Sequence, residues 1–132
     1  MNQVVVDTDI ASYVFNWHSS AQRHVDSLRG AELILSFMSI AEMRVGAIAA
    51  GPGLRRRNLL EQFIGGFGVE YANDVSCTRW ATLRSRARAT GRMLSPQDAW
   101  IAATALGLDA GLATNNRKDF EHLKGIRLLP RI

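Results

Sequence analysis

Residues 4–10 read "VVVDTDI", and the fold turns on how that stretch is read. Three β-branched valines in a row favour a buried, extended strand. They run straight into Asp7-Thr8-Asp9. Two carboxylates one residue apart repel each other unless something positive sits nearby. The stretch is then either a strand followed by a helix that Asp9 caps, or a strand end that presents carboxylates to a cation. The rest of the chain has to decide.

Downstream, short apolar runs alternate with helical patterns. "AELILS" (31–36), "GVEYA" (68–72), "AGLATNN" (110–116) and "IRLLP" (126–130) read as further strands. Between them lie helical patterns. "SSAQRHVDSLRG" has Ser19 or Ser20 as its cap and Gly30 as its stop, and "SIAEMRVGAIAAG" ends at Gly51. "LRRRNLLEQFI", "DVSCTRWATLRSRARATG" and "SPQDAWIAATALGLD" follow, with a short turn of helix in "KDFEHL". The second and third helices are expected to pair as an antiparallel hairpin across "AAGPG". Such alternation predicts an α/β fold, with a parallel sheet of four or five strands covered on both faces. Ligands of these sheets bind beyond the carboxyl ends of the strands, where the strand order reverses.

The chain has 132 residues, 47% of them hydrophobic and 21% charged, which predicts one folded domain over residues 1–132. A lone cysteine, Cys77, fits a reducing compartment and reads as a small core residue. With no signal segment and no membrane-length apolar run, the expected location is the cytoplasm. The net charge is +4. Arginine clusters at Arg55–Arg57 and again from Arg79 to Arg92; these are solvated helix faces or an electrostatic footprint for nucleic acid.

Four acids fall where a parallel sheet would gather them: Asp7 after the first strand, Glu42 and Asp98 in first helical turns, and Asp119 after the fourth strand. Taken singly, the helix acids have a structural reading. "SIAE" (39–42) fits a capping box, and "SPQD" (95–98) supplies a serine cap, a proline at the first helical position and an acid against the helix dipole. Four acids on one sheet edge, however, call for a neutralising cation. Carboxylate oxygen suits magnesium or manganese, the ions of phosphodiester cleavage. Other chemistries lack their residues. His18, His24 and His122 show no metal-ligand spacing, and neither a Walker A loop nor G-x-G-x-x-G is present. Trp17, Trp80 and Trp100 read as core residues before base-stacking ones.

With these pieces assembled, "VVVDTDI", "LSFMSIAEMRVG", "DAWIAATAL" and "LATNNRKDF" give the chain a resemblance to the PIN-domain nucleases, in particular the VapC-type toxins of toxin–antitoxin pairs. The matching pieces span almost the whole chain. The resemblance implies a three-layer α/β/α fold and a magnesium- or manganese-dependent endoribonuclease. Asp7, Glu42 and Asp98 match the family's metal-binding acids, and Asp119 matches its fourth. The resemblance also implies an RNA substrate, a VapB-type antitoxin partner that occupies the groove, and a homodimer. Two positions depart from the pattern: Asp9 stands where the family often has asparagine, and Asn116 where many relatives carry another acid.

Two rival classes remain to be tested. "DTD" matches the start of haloacid dehalogenase-type phosphatases, but Ala11 stands where that family needs threonine or valine. A non-catalytic RNA-binding module would keep the fold without the chemistry.

Overall fold

The computed structural model describes residues 2–17, 21–51 and 53–131. Its element order is β1 (Gln3–Val6), α1 (Thr8–Phe15), α2 (Ala21–Ser27), β2 (Glu32–Ser36), α3 (Phe37–Ala50) and α4 (Leu54–Ile64). β3 (Gly68–Glu70), α5 (Asp74–Ala89), α6 (Pro96–Leu108), β4 (Gly111–Ala113) and α7 (Arg117–Phe120) follow. Every strand pair is parallel, and the sheet order is β3-β2-β1-β4.

The valines explain the layering. β1 lies between two neighbours, with Val5 in register with Ile34 on one side and Leu112 on the other. Side chains alternate across a strand. Val5 therefore joins the core beneath α5, α6 and α7, with Ile34, Leu83, Ile101 and Phe120. Val4 and Val6 point the other way, to Ile10, Leu35, Ile40, Met43 and Leu60 beneath α1, α3 and α4. All three valines are at most 1% exposed. A strand apolar on both faces demands cover on both, and the result is a three-layer α/β/α fold. Ala99, Ala102, Ala103 and Ala105 let α6 lie close against the sheet.

The α3–α4 hairpin forms as expected and is clasped by Arg44, whose guanidinium donates to both oxygens of Glu61 at 3.1 and 2.6 Å. Gly30 closes the α2 segment at φ +83°, a conformation that favours glycine. The Ser19 or Ser20 cap lies outside the described residues.

Three expectations need correction. The "IRLLP" strand reduces to a single parallel bridge between Leu112 and Leu128, so the sheet has four strands among the described residues. Pro130 has no N–H with which to extend the ladder. Cys77 is exposed, because α5 buries only Leu83 and Ala87. Trp17 is 64% exposed just past the end of α1, whereas Trp80 and Trp100 are half-buried and stack with ring centroids 5.5 Å apart. No described helix is long and apolar enough to cross a membrane.

Candidate active site

The chain steps from β1 out to β2 and β3, then returns to place β4 on the other side of β1. The strand order therefore reverses between β1 and β4, and the acids gather at the carboxyl ends of those strands.

Asp7 is the hub. Its backbone is extended, and its side chain caps α1 by accepting from Thr8 N at 2.8 Å. The other carboxylate oxygen accepts from Thr114 Oγ1 at 2.7 Å, and Thr114 Oγ1 accepts in turn from Asn116 N at 3.0 Å. Asp7 N donates to Ala113 O at 2.9 Å. These bonds stitch the ends of β1 and β4 together and leave the Asp7 side chain buried. The cap of α1 is thus Asp7 rather than Asp9. Asp9 sits in the first turn, where it accepts from Ile10 N at 2.7 Å and from Asn115 N, after β4, at 3.1 Å.

Glu42 is freed from the capping role its spacing suggested. α3 begins at Phe37, two residues before Ser39, and its cap is Ser36, which accepts from Met38 N at 3.1 Å. Ser39 and Glu42 are therefore inside the helix. Thr8 Oγ1 lies 2.8 Å from Glu42 Oε1 and 2.9 Å from the buried Ser39 Oγ. A hydroxyl has one proton, so Thr8 donates to one partner at a time; with an ionised Glu42 the carboxylate is the stronger acceptor.

Asp98 follows the sequence reading: Ser95 caps α6, accepting from Asp98 N at 3.1 Å, and Pro96 is the first helical residue. Its side chain is half-buried. Asp119, on α7, is exposed, but its charge is the strongest one acting on Asp98.

The electrostatics show how these acids share one region. Burial, followed by the charge of Asp9, pushes the Asp7 carboxyl up to about 7; Asp98 adds to the effect, and the Thr114 and Thr8 hydrogen bonds oppose it. Burial likewise raises Asp98, with Asp119, Glu42 and Asp9 reinforcing it. Asp9 is raised by burial against its hydrogen bonds and the nearby His24. The charges that bear most strongly on Asp7 and Asp98 are all acidic. Five carboxylates, Asp7, Asp9, Glu42, Asp98 and Asp119, thus act on one another from four chain segments.

This donor set fits a hard divalent cation. It is all oxygen and all carboxylate, and the raised proton affinities of Asp7, Asp9 and Asp98 mark sites that gain from positive charge. Among the described residues no three acid, histidine or cysteine side chains stand in ready-made ligand geometry. Magnesium does not require it, since one or two protein carboxylates usually hold the ion beside water and substrate phosphate.

The sequence reading named Asp7, Glu42, Asp98 and Asp119, and the structure brings their elements to one sheet edge. It did not find the Thr8–Ser39–Glu42 network or the buried His24 beside Asp9. Only the threonine between two aspartates hinted at the first.

The family profile described as the PIN domain matches residues 4–126, and the chain belongs to that family. Ribonuclease VapC1 of Haemophilus influenzae (strain R2866) is 27% identical over 125 residues, covering 93% of each chain. VapC ribonuclease Y4jK of Sinorhizobium fredii (strain NBRC 101917 / NGR234) is 30% identical over 129 residues, covering 89% of this chain and 90% of the relative. Among solved structures, VapBC-1 from nontypeable Haemophilus influenzae has a TM-score of 0.80 at 26% identity, covering 96% of both chains. Within the PIN family, the chain is thus similar to VapC ribonucleases.

Proposed function

We propose that this protein is a VapC-type toxin, an endoribonuclease that cleaves RNA at the acidic site with magnesium or manganese. The observation that carries the reading is Asp7: a carboxylate buried at the switch point of a parallel sheet, surrounded by acids. An arrangement that costs folding stability is explained by a cation that repays it. Ribonuclease relatives that cover 93% and 89% of the chain support the same reading.

Asp7 and Asp98 would hold the ion, directly or through water. When bound, the ion supplies a water of lowered pKa and neutralises charge at the scissile phosphate. Thr114 fixes the Asp7 carboxylate and Thr8 fixes that of Glu42. Glu42 and Asp119 complete the acidic pocket or help to activate the attacking water. In-line attack on phosphorus leaves 5′-phosphate and 3′-hydroxyl ends. The VapBC-1 structure supports a VapB-type antitoxin as partner, which would silence the site by occupying it. Ala11 counts against the phosphatase alternative, in which Asp7 would be the nucleophile.

The test uses antitoxin-free protein and total bacterial RNA, with magnesium or manganese and then with EDTA. Discrete fragments that disappear with EDTA are expected; intact RNA in every lane would favour the binding-module alternative. Thr8→Val probes the positioning of Glu42. It should lower kcat by roughly 10-fold, the lower end of what losing a ligand-orienting hydrogen bond costs, while binding of RNA stays unchanged. An unaltered kcat would remove Thr8 from the account.

A further inference from the structure

A groove of about 880 Å³ runs between α5 and the segment after α7, lined by Arg79, Arg86, His122 and Lys124, with Asp74 the one acid. We propose that this groove is a phosphate track, which holds the backbone of a single RNA strand outside the acidic site. The proposal rests on the ribonuclease reading above and adds a second contact region to it.

Among the described residues the ion pairs are Arg29–Asp26, Arg44–Glu61 and Arg127–Asp109, so Arg79, Arg86 and Lys124 belong to none. Three cations facing one acid across a groove repel each other, and a strand of phosphates relieves that repulsion by displacing its own counterions. Arg79 and Arg86 are seven residues apart on one helix, close to two turns and roughly 10 Å along the axis, so both face the groove. Leu83, Leu106 and Leu123 form its floor and pack into the core, which gives the cations a fixed base. His122 also lines the groove, and its Nε2 is buried without a hydrogen-bond partner among the described residues. The lining offers few rings. Among the described residues it has no phenylalanine, tyrosine or tryptophan, so His122 is the one ring in the lining on which a base could stack. Cations that contact phosphate, with stacking that tolerates any base, fit the groove to the backbone rather than to base sequence.

Arg79 has a second role. Its guanidinium nitrogen lies 2.9 Å from where a Cβ on Gly107 would sit, so it rests over the last turn of α6, where the helix dipole favours a cation. Arg86 and Lys124 are consequently the residues to change.

The experiment measures binding of two oligoribonucleotides of unrelated sequence across a salt series, using the full chain carrying Asp98→Asn so that RNA is not consumed. Adding Arg86→Gln and Lys124→Gln should weaken binding and reduce the slope of log K against log salt by about 1.4, two contacts at roughly 0.7 each, equally for both RNAs. Arg86→Lys with Lys124→Arg should keep the slope. An unchanged slope in the glutamine variant, or a loss confined to one RNA, overturns the track. The protein without Asp98→Asn is assayed for cleavage alongside: failure to cut sinks the ribonuclease reading, whereas cutting with an unchanged slope sinks the track alone.

Discussion

Asp7→Asn should raise the melting temperature of the metal-free protein at pH 8 and abolish RNA cleavage. The two effects have one cause. The Asp7 carboxyl is pushed up to about 7, first by burial and then by Asp9, from an ordinary value of 3.8. Between those values the native state binds a proton that the unfolded chain has released, so stability falls as pH rises from about 4 to about 7 and stays low above that. The shift corresponds to about 4 kcal/mol at full ionisation. Asparagine removes the charge and remains a good helix cap for α1. The gain at pH 8 is then on the order of 10 °C, and it should shrink toward zero at pH 4. Manganese should stabilise wild type more at pH 8 than at pH 5, because ion and proton compete for the same oxygens, and it should do little for the variant. Scanning calorimetry at the three pH values checks this. An asparagine variant less stable than wild type at pH 8 without metal would show that Asp7 is compensated in some other way.

Asp98→Asn should cut cleavage by about 100- to 1000-fold, a loss of roughly 3–4 kcal/mol of transition-state stabilisation, and leave the fold unchanged. The backbone bond from Asp98 N to Ser95 survives the substitution, so the start of α6 is intact. The variant loses an acid that favours the helix dipole, worth under about 1 kcal/mol, but it also loses repulsion from Asp119 and Glu42. These small terms oppose each other, and the melting temperature should hardly move. Cleavage within a factor of a few of wild type, measured with metal-replete protein, would take Asp98 out of the site.

These effects involve residues whose positions were unequally visible in the sequence. The valines declared a buried strand, because no polar residue breaks their run, and the alternation of strands with helices implied cover on both faces of the sheet. "SPQD" announced the start of α6, since cap, proline and acid are local signals set by the chain's own backbone. Where two serines competed, local pattern failed: "SIAE" resembles a cap, yet α3 starts at Phe37 with Ser36 as its cap, because β2 runs directly into the helix with no intervening loop. The bond between Thr8 and Glu42 links positions 34 apart, and no local periodicity encodes such a meeting. It follows from β1 and β2 lying side by side. Cys77 and Trp17 were misplaced for a related reason. Residue type favours burial for both, but exposure is decided by which helix face meets the sheet and by where a helix ends.

The most direct test of the central claim is the chemistry of the cut ends. A defined RNA is cleaved by antitoxin-free protein in manganese, the fragments are mapped, and the reaction is repeated in EDTA. Cleavage by an activated water predicts 5′-phosphate and 3′-hydroxyl ends, with no fragments in EDTA. Ends carrying 2′,3′-cyclic phosphate, formed in EDTA as readily as in manganese, would mean that the RNA's own 2′-hydroxyl attacks and that the acids of this site do not hold a catalytic ion.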